Sequence, residues 1–169
     1  MIYWLNGAYG VGKTTVAEAL KPLLKNAHIC DPECTGDAIR DSYPDVLFRD
    51  TFEQYPLWTE TVFGILKDLA ARYDGDVIAP MTLLREESYE AIVKRLEDCG
   101  VPIRYLFLDA DAETLRHRMV DLGREEPDSW CVAHIPACLK AQAEDRRAIH
   151  IDTVGKTPQE IAREIAAIR

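Results

Sequence analysis

Eight consecutive residues near the start of the chain have the types and spacing of a phosphate-binding loop. The run Gly7-Ala8-Tyr9-Gly10-Val11-Gly12-Lys13-Thr14 fits G-x-x-x-x-G-K-[ST] at every fixed position. Glycines let the backbone aim its N–H groups inward, the lysine can reach nucleotide phosphates, and the threonine hydroxyl can ligate Mg²⁺. The pattern predicts an ATP or GTP site with Thr14 as metal ligand, formed by Gly7, Ala8, Tyr9, Gly10, Val11, Gly12, Lys13, Thr14 and Thr15.

Asp31 follows a short apolar run, Ala27–Cys30, and precedes Pro32. A carboxylate at the carboxyl end of a strand beside the phosphate loop can take the proton of an acceptor hydroxyl as the phosphoryl group arrives. It could instead hold Mg²⁺ through water, or only form a side-chain turn into Pro32. We predict that Asp31 is the general base.

The acid that ATPase motors carry is missing from its usual place. The strand expected at Asp76–Ala79 has no carboxylate at its carboxyl end. Asp109 closes another strand and could hold Mg²⁺ through water, although capping the helix that begins near Ala112 suits it better. The sequence therefore favours a kinase that positions an acceptor hydroxyl over a motor.

Three arginines gather in a segment expected to close over the nucleotide. Arg116, Arg118 and Arg124 lie in or near a predicted helix, and Gly123 favours a mobile lid over about residues 116–130. Arginine forks suit the charge that builds on a transferring phosphoryl group. We assign Arg118 and Arg124 to catalysis; the alternative is a solvated helix face.

The segment from residue 31 to residue 60 is acidic and aromatic, with Arg40 and Arg49 as its only basic residues. Its acids argue against an acceptor that carries a phosphate near the reacting end, and its aromatics could stack a flat ring or pack a sugar. The alternative is that the aromatics are core residues and the acids face water. The acids are Asp31, Glu33, Asp37, Asp41, Asp45, Asp50, Glu53 and Glu60, and the aromatics are Tyr43, Phe48, Phe52, Tyr55 and Trp58.

Short apolar runs alternate with longer amphipathic stretches, which predicts a parallel sheet with helices on both faces. Strands are expected at 2–6, 27–30, 76–79, 103–108 and 148–151. Helices are expected at 13–25, over most of 33–73 with breaks near Pro44 and Pro56, and at 86–99, 113–122 and 130–144. Thr157-Pro158-Gln159-Glu160 predicts a capping box that opens the last helix.

Composition narrows the class of protein. A chain of 169 residues with 47% hydrophobic residues suits one domain spanning 1–169. The net charge of −9 argues against nucleic acid as a partner. No apolar run is long enough for a transmembrane segment, and five scattered cysteines suit a reducing compartment, so we expect a cytoplasmic protein.

Together with the phosphate loop, several short motifs resemble the tunicamycin resistance protein family. They are Asp31-Pro32-Glu33, Ala38-Ile39-Arg40, Tyr55-Pro56-Leu57-Trp58, Pro80-Met81-Thr82 and Ser129-Trp130. The resemblance implies a P-loop fold like that of nucleoside and nucleotide kinases, and a small-molecule phosphotransferase. It places Asp31 as the acceptor-side aspartate, Glu33 of the same motif among the substrate-binding residues, and Arg40, Trp58 and Thr82 along the cleft. The lid departs from the family's pattern, because Gly123–Asp128 is acidic.

These observations lead to one expected fold and one leading function. We predict a three-layer α/β P-loop fold with five parallel strands in the order 2-3-1-4-5. We predict an enzyme that uses ATP and Mg²⁺ to phosphorylate a hydroxyl of a small molecule, by resemblance a nucleoside-type antibiotic such as tunicamycin. The alternatives are a nucleotide or metabolic kinase and a non-catalytic binder that sequesters nucleotide or drug. The oligomeric state is left open.

Overall fold

A computed structural model describes residues 1–168 of the chain. Five parallel strands form one sheet in the order β2-β3-β1-β4-β5, with helices on both faces, as predicted. The strands are β1 (Ile2–Gly7), β2 (His28–Ile29), β3 (Val77–Pro80), β4 (Ile103–Asp109) and β5 (Ile149–Asp152).

Strand β1 lies at the centre of the sheet and is buried along its whole length. Its side chains alternate between the two faces, so Tyr3 and Leu5 join one core cluster while Ile2 and Trp4 join the other. Both faces are covered by helices, which explains the continuous apolar sequence of the strand. Strand β3 ends at Pro80, one residue beyond the end expected from the sequence, because Pro80 still pairs with Leu5 of β1.

Nine α-helices connect the strands within the described residues. They are α1 (Lys13–Leu20), α2 (Pro32–Ser42), α3 (Pro56–Arg72), α4 (Glu86–Tyr89), α5 (Arg95–Asp98), α6 (Ala112–Arg116), α7 (Trp130–Ala133), α8 (Ile135–Glu144) and α9 (Pro158–Ala167). The predicted capping box is present at the start of α9, where Thr157 and Glu160 exchange hydrogen bonds. Helix α1 ends earlier than expected, because the chain tightens into a 3₁₀ turn over Lys21–Leu23 that contains Pro22.

Several of the helices that periodicity predicts are interrupted, including 86–99 by a π-helical turn at Glu90–Lys94 and 130–144 by the break between α7 and α8. Helices α2 and α3 are separated by 3₁₀ turns at Asp45–Leu47 and Phe52–Gln54. Helix α6 continues as a π-helical turn over His117–Asp121, which inserts an extra residue into the lid segment. No helix within residues 1–168 combines the length and the apolar character needed to cross a bilayer.

Candidate active site

The phosphate loop leaves the carboxyl end of β1 and leads into α1. Gly10 has φ 77° and Gly12 has φ 104°, in the left-handed region that favours glycine. A Cβ on Gly10 would lie 2.4 Å from Cγ of Met119, so the loop also packs directly against the lid segment. The sequence therefore folds locally as the motif predicts, and the loop faces the amino terminus of α1.

Lys13 is folded over the loop that precedes it. Its Nζ donates hydrogen bonds to the carbonyl oxygens of Gly7 (3.1 Å) and Ala8 (3.0 Å), and the side chain is buried. Burial lowers the pKa of Lys13 to about 8, and the nearby Glu33 carboxylate is the largest influence that opposes this shift. Such a lysine is ready to exchange carbonyl partners for phosphate oxygens.

Thr14 and Thr15 are exposed at the first turn of α1. A threonine hydroxyl is a suitable hard ligand for Mg²⁺, which usually keeps few protein ligands and binds mainly phosphate oxygens and water. Within residues 1–168 no group of three or more His, Cys, Asp or Glu side chains could hold a metal ion by itself. The residues present thus fit Mg²⁺ that arrives with nucleotide, with Thr14 as its protein ligand.

Asp31 lies directly after β2 and caps α2. Its Oδ1 accepts a hydrogen bond of 2.9 Å from the backbone N–H of Glu33, the side-chain turn considered from the sequence. Asp31 does not line the cavity in which an acceptor would sit, whereas Glu33 does. Burial raises the pKa of the Glu33 carboxyl, and Lys13 opposes that shift.

Asp109 does not have the capping role expected for it. The cap of α6 is Asp111, which accepts a 2.7 Å hydrogen bond from the backbone N–H of Thr114. The Asp109 carboxylate instead lies 2.9 Å from Nδ1 of His150, across the β4–β5 pair. Burial raises the pKa of Asp109, and the His150 contact opposes that rise.

Arg118 joins the phosphate loop to the turn that follows β5. Its guanidinium donates hydrogen bonds to the carbonyl of Val11 (2.8 Å) and to both Oγ1 (3.0 Å) and the carbonyl (2.7 Å) of Thr153. Arg118 lies within the π-helical turn, next to the Met119 that contacts Gly10. In this state Arg118 positions the loop, and the lid segment contacts the loop through these two residues.

A cavity of about 190 Å³ opens beside the loop on the Arg118 side. Arg124 and Lys156 line it as well, so three cations face the same space, while Arg116 is exposed elsewhere on the helix. The remaining lining residues are Gly10, Val11, Gly12, Thr15, Val16, Leu122, Pro158 and Ile161. Cations and loop glycines around one cavity suit a polyphosphate nucleotide.

A second cavity, of about 530 Å³, lies on the other side of Tyr9. It contains the predicted Glu33 and Arg40, and the Arg40 guanidinium stacks 4.5 Å above the Phe52 ring. The complete lining is Tyr9, Glu33, Asp37, Arg40, Arg49, Asp50, Thr51, Phe52, Trp130 and Cys131. Aromatic faces and a few charged groups are typical of a small-molecule site.

Trp58 and Thr82, which the resemblance places along the cleft, do not line this cavity. Trp58 is fully buried in the core, and its Nε1 donates to the carbonyl of Pro32. Thr82 is also buried, and its hydroxyl donates a 2.8 Å hydrogen bond to the carbonyl of Gly7. Trp58 thus holds the first residue of α2, and Thr82 holds the first residue of the phosphate loop.

Several residues of the site were not predicted in the roles they have. Trp130 donates from Nε1 to Asp50 at 2.6 Å, and its ring meets Tyr9 edge to face at 4.9 Å, which closes one wall of the second cavity. The sequence names Trp130 only within the Ser129-Trp130 motif, and no local pattern relates it to Asp50, 80 residues away.

Two buried polar residues support the loop and the acceptor side. Oδ1 of Asn6 accepts hydrogen bonds from the backbone N–H groups of Gly7 and Leu83, both at 2.8 Å. The Glu53 carboxylate accepts from the N–H groups of Leu84 and Arg85, and burial raises its pKa despite these contacts. Nothing in the sequence around Glu53 separates it from its exposed acidic neighbours.

Comparison with known proteins places the chain in a family. The sequence profile of the AAA domain matches residues 2–134. The chain belongs to the AAA domain family. This family match fits the P-loop kinase-like group that the motifs indicated. No curated protein sequence matches the chain.

Solved structures extend the comparison over nearly the whole chain. The tunicamycin resistance protein of Deinococcus radiodurans superposes with a TM-score of 0.81 at 26% identity, covering 98% of this chain and 93% of that one. A gluconokinase from Sinorhizobium meliloti has a TM-score of 0.67 at 21% identity, with 98% and 89% covered. A shikimate kinase from Aquifex aeolicus has a TM-score of 0.56 at 22% identity, with 98% and 93% covered. The resemblance to the tunicamycin resistance family is confirmed, and the two kinases share the P-loop kinase fold.

Proposed function

We propose that this AAA domain protein is an ATP-dependent kinase that phosphorylates a hydroxyl of a small molecule. The observation that carries the proposal is the meeting of two cavities at the phosphate loop. Tyr9 lines the aromatic cavity, and the next residue, Gly10, lines the cationic one. Phosphoryl transfer depends mainly on positioning and electrostatic stabilisation, so two sites that adjoin at the phosphate loop are what the reaction requires.

On the nucleotide side, the chain binds and neutralises phosphate. The backbone N–H groups of the loop and the Lys13 ammonium bind phosphate oxygens, and Thr14 holds Mg²⁺, which supplies charge neutralisation when bound. Arg118 keeps the loop against the turn after β5, and the exposed Arg124 closes over the nucleotide as part of a lid over about residues 116–130. The hydrogen bond from Arg118 to Val11 supports the first role, and the exposure of Arg124 supports the second.

On the acceptor side, a carboxylate receives the hydroxyl proton. The acceptor oxygen bonds to the γ-phosphorus, the bond from that phosphorus to the bridging oxygen breaks, and ADP leaves. Glu33 faces the aromatic cavity and lies within the field of Lys13, which supports it as the proton acceptor. Asp31, the base predicted from the sequence, then acts by capping α2 and holding Glu33 in place; its direct role is the competing assignment.

The structural likenesses support two candidate acceptor classes. The likeness to a tunicamycin resistance protein supports a nucleoside-type antibiotic such as tunicamycin, and Tyr9 and Trp130 in the cavity wall offer aromatic surfaces for a ring. A metabolic kinase is the second candidate, supported by the gluconokinase and shikimate kinase likenesses. We further propose a single domain in which residues of about 33–73 cover the acceptor, working in the cytoplasm without nucleic-acid partners.

Acceptor-dependent release of ADP tests the proposal. The protein is incubated with Mg·ATP alone and with tunicamycin, nucleosides, gluconate or shikimate, and the Lys13→Ala variant is the control. A kinase gives ADP release that rises with one acceptor class and is lost in the variant. Binding of an acceptor without any turnover would favour the sequestering alternative, and equal ADP release with and without acceptors would contradict the kinase.

A further inference from the structure

Helix α2 contributes both carboxylates and an arginine to the aromatic cavity. Glu33, Asp37 and Arg40 lie on one face of α2 and all line the cavity. Glu33 is at the end nearest Lys13, and Arg40 follows it by seven residues, which is about 10 Å along a helix. Arg49 also lines the cavity, on the segment whose Phe52 ring contacts Arg40.

Arg40 is held in a fixed place by an aromatic support. The Phe52 ring lies against the backbone of α2 so closely that a Cβ on Gly36 would be 2.4 Å from it. One turn further along the helix, the Arg40 guanidinium covers the same ring at 4.5 Å. The stacking leaves the edge of the guanidinium, with its N–H donors, free to bind in the plane of the group.

No carboxylate within residues 1–168 lies at ion-pair distance from Arg40. Asp37 lines the same cavity without pairing to it, and Asp50 is engaged by Trp130 at 2.6 Å and by His134 at 3.5 Å. A half-buried arginine without a counter-ion, fixed at one end of a small-molecule cavity, is suited to receive an anion from outside the chain.

We propose that the acceptor carries a carboxylate or phosphate group remote from the hydroxyl that reacts, and that Arg40 on its Phe52 support binds this group. The inference rests on the proposed kinase function and names its substrate class. It agrees with a carboxylate at the reacting end, because Glu33 accepts the hydroxyl proton there while the anion binds Arg40, seven residues further along α2. A neutral acceptor such as tunicamycin leaves Arg40 without a partner, so this inference favours the second candidate, a metabolic kinase, over the antibiotic.

Matched sets of compounds test the proposal by binding rather than by turnover. One set is glucose, glucuronate and glucose 6-phosphate, and the other is uridine, orotidine and uridine 5′-monophosphate. Thermal unfolding is measured with each compound at about 10 mM, in the presence of Mg²⁺ and a non-hydrolysable ATP analogue. The analogue occupies the phosphate loop, so an added anion does not register there.

In at least one set the anionic members raise the melting temperature and the neutral parent does not. The shift disappears in Arg40→Gln, shrinks in Arg40→Lys because the planar fork is lost, and persists in Arg72→Gln, an exposed arginine on α3 paired with Asp68. Where turnover is measurable, Arg40→Gln raises KM about tenfold to hundredfold with a smaller change in kcat. The carboxylate and phosphate members then show which anion is preferred.

The proposal is overturned if no anionic member shifts the melting temperature, or if Arg40→Gln shifts as the wild type does. Phosphorylation of a neutral acceptor such as tunicamycin, at a rate unchanged in Arg40→Gln, would also overturn it while leaving the kinase intact. An anion-dependent shift without any phosphorylated product has the reverse meaning: the anion site stands, and the proposed kinase function fails.

Discussion

At the scale of single residues, two carboxylates only two positions apart, Asp31 and Glu33, have different surroundings. One oxygen of Asp31 accepts the hydrogen bond that caps α2. Glu33 instead lines the cavity and lies close enough to Lys13 to raise the pKa of that lysine. The sequence predicts Asp31 as the base and, by resemblance, Glu33 as a substrate-binding residue, but only the direction in which α2 leaves β2 decides which one faces the acceptor. The division of labour between them is therefore open to direct measurement.

Replacing each carboxylate by its amide separates the two roles. Because asparagine caps helices as well as aspartate does, Asp31→Asn keeps the fold and retains most activity. Glu33→Gln removes the proton acceptor, so kcat falls by about 10²–10⁴ while Mg·ATP binding stays close to normal. Steady-state kinetics and nucleotide titration on both variants check this. If the large loss of kcat falls on Asp31→Asn instead, Asp31 is the base.

Lys13 is expected to make the affinity for Mg·ATP depend on pH. With a pKa lowered to about 8 by burial, Lys13 is about half neutral in the free protein at pH 8. Phosphate oxygens favour the charged form, so binding of Mg·ATP takes up about half a proton at pH 8, and affinity declines as the pH rises further. Calorimetry in buffers of different ionisation enthalpy measures the uptake. Lys13→Arg, which is always charged, abolishes it; a wild type without buffer dependence contradicts the lysine's assigned state.

At the scale of elements, the lid segment is attached to the phosphate loop by contacts that no local pattern contains. The π-helical turn at His117–Asp121 places Arg118 against Val11 and Thr153, and places Met119 against Gly10. The three residues that the lid contacts come from the loop, which contributes Gly10 and Val11, and from the turn after β5, which contributes Thr153. The lid and the loop are therefore expected to respond together to mutation.

Arg118 and Arg124 form a matched pair for this test. Arg118→Ala removes three hydrogen bonds and lowers the free energy of unfolding by about 1–3 kcal/mol, with weaker binding of nucleotide. Arg124 is exposed, so Arg124→Ala changes stability by less than about 0.5 kcal/mol, and any loss of rate reports contact with nucleotide. Urea unfolding with and without an ATP analogue gives both quantities. Equal stability of the two variants would remove the positioning role of Arg118.

The sequence predicts those parts of the molecule whose cause is local. The phosphate loop follows from its own glycines, and the last helix follows from Thr157 and Glu160. Trp58 shows the limit, because its motif suits a cleft or a core equally and the packing of α3 against Pro32 decides for the core. The Asp50–Trp130 hydrogen bond could not be predicted from the sequence for the same reason, because only the complete fold brings these two distant residues together.

At the scale of the whole molecule, one ion pair joins the edge strand to the site. Burial lowers the pKa of His150, but hydrogen bonds to the Asp109 carboxylate and the Asp145 carbonyl outweigh it, so the pKa lies above its ordinary value. The Asp109 carbonyl also accepts a hydrogen bond from Thr153, which in turn binds Arg118. Protonation of His150 thus stabilises the end of the sheet that carries the lid's anchor.

Stability contributed by this pair depends on pH in a defined direction. A raised pKa means that the contribution is full below the unfolded pKa of about 6.5 and is lost as the pH rises through the folded value. The melting temperature of the wild type therefore exceeds that of His150→Gln by about 1–3 °C at pH 6, and the difference narrows by pH 8. Thermal unfolding of both proteins across this range checks it. A difference that grows with pH would contradict the pairing.

Transfer of the γ-phosphoryl group is the most direct test of the proposed activity. ATP labelled in the γ-phosphate is incubated with the protein, Mg²⁺ and the acceptor panels above, and the products are separated and identified. We predict that the label moves to an acceptor in one-to-one ratio with the ADP formed, and that Lys13→Ala gives neither product. Label found only in inorganic phosphate, at a rate independent of every acceptor, would contradict the kinase assignment.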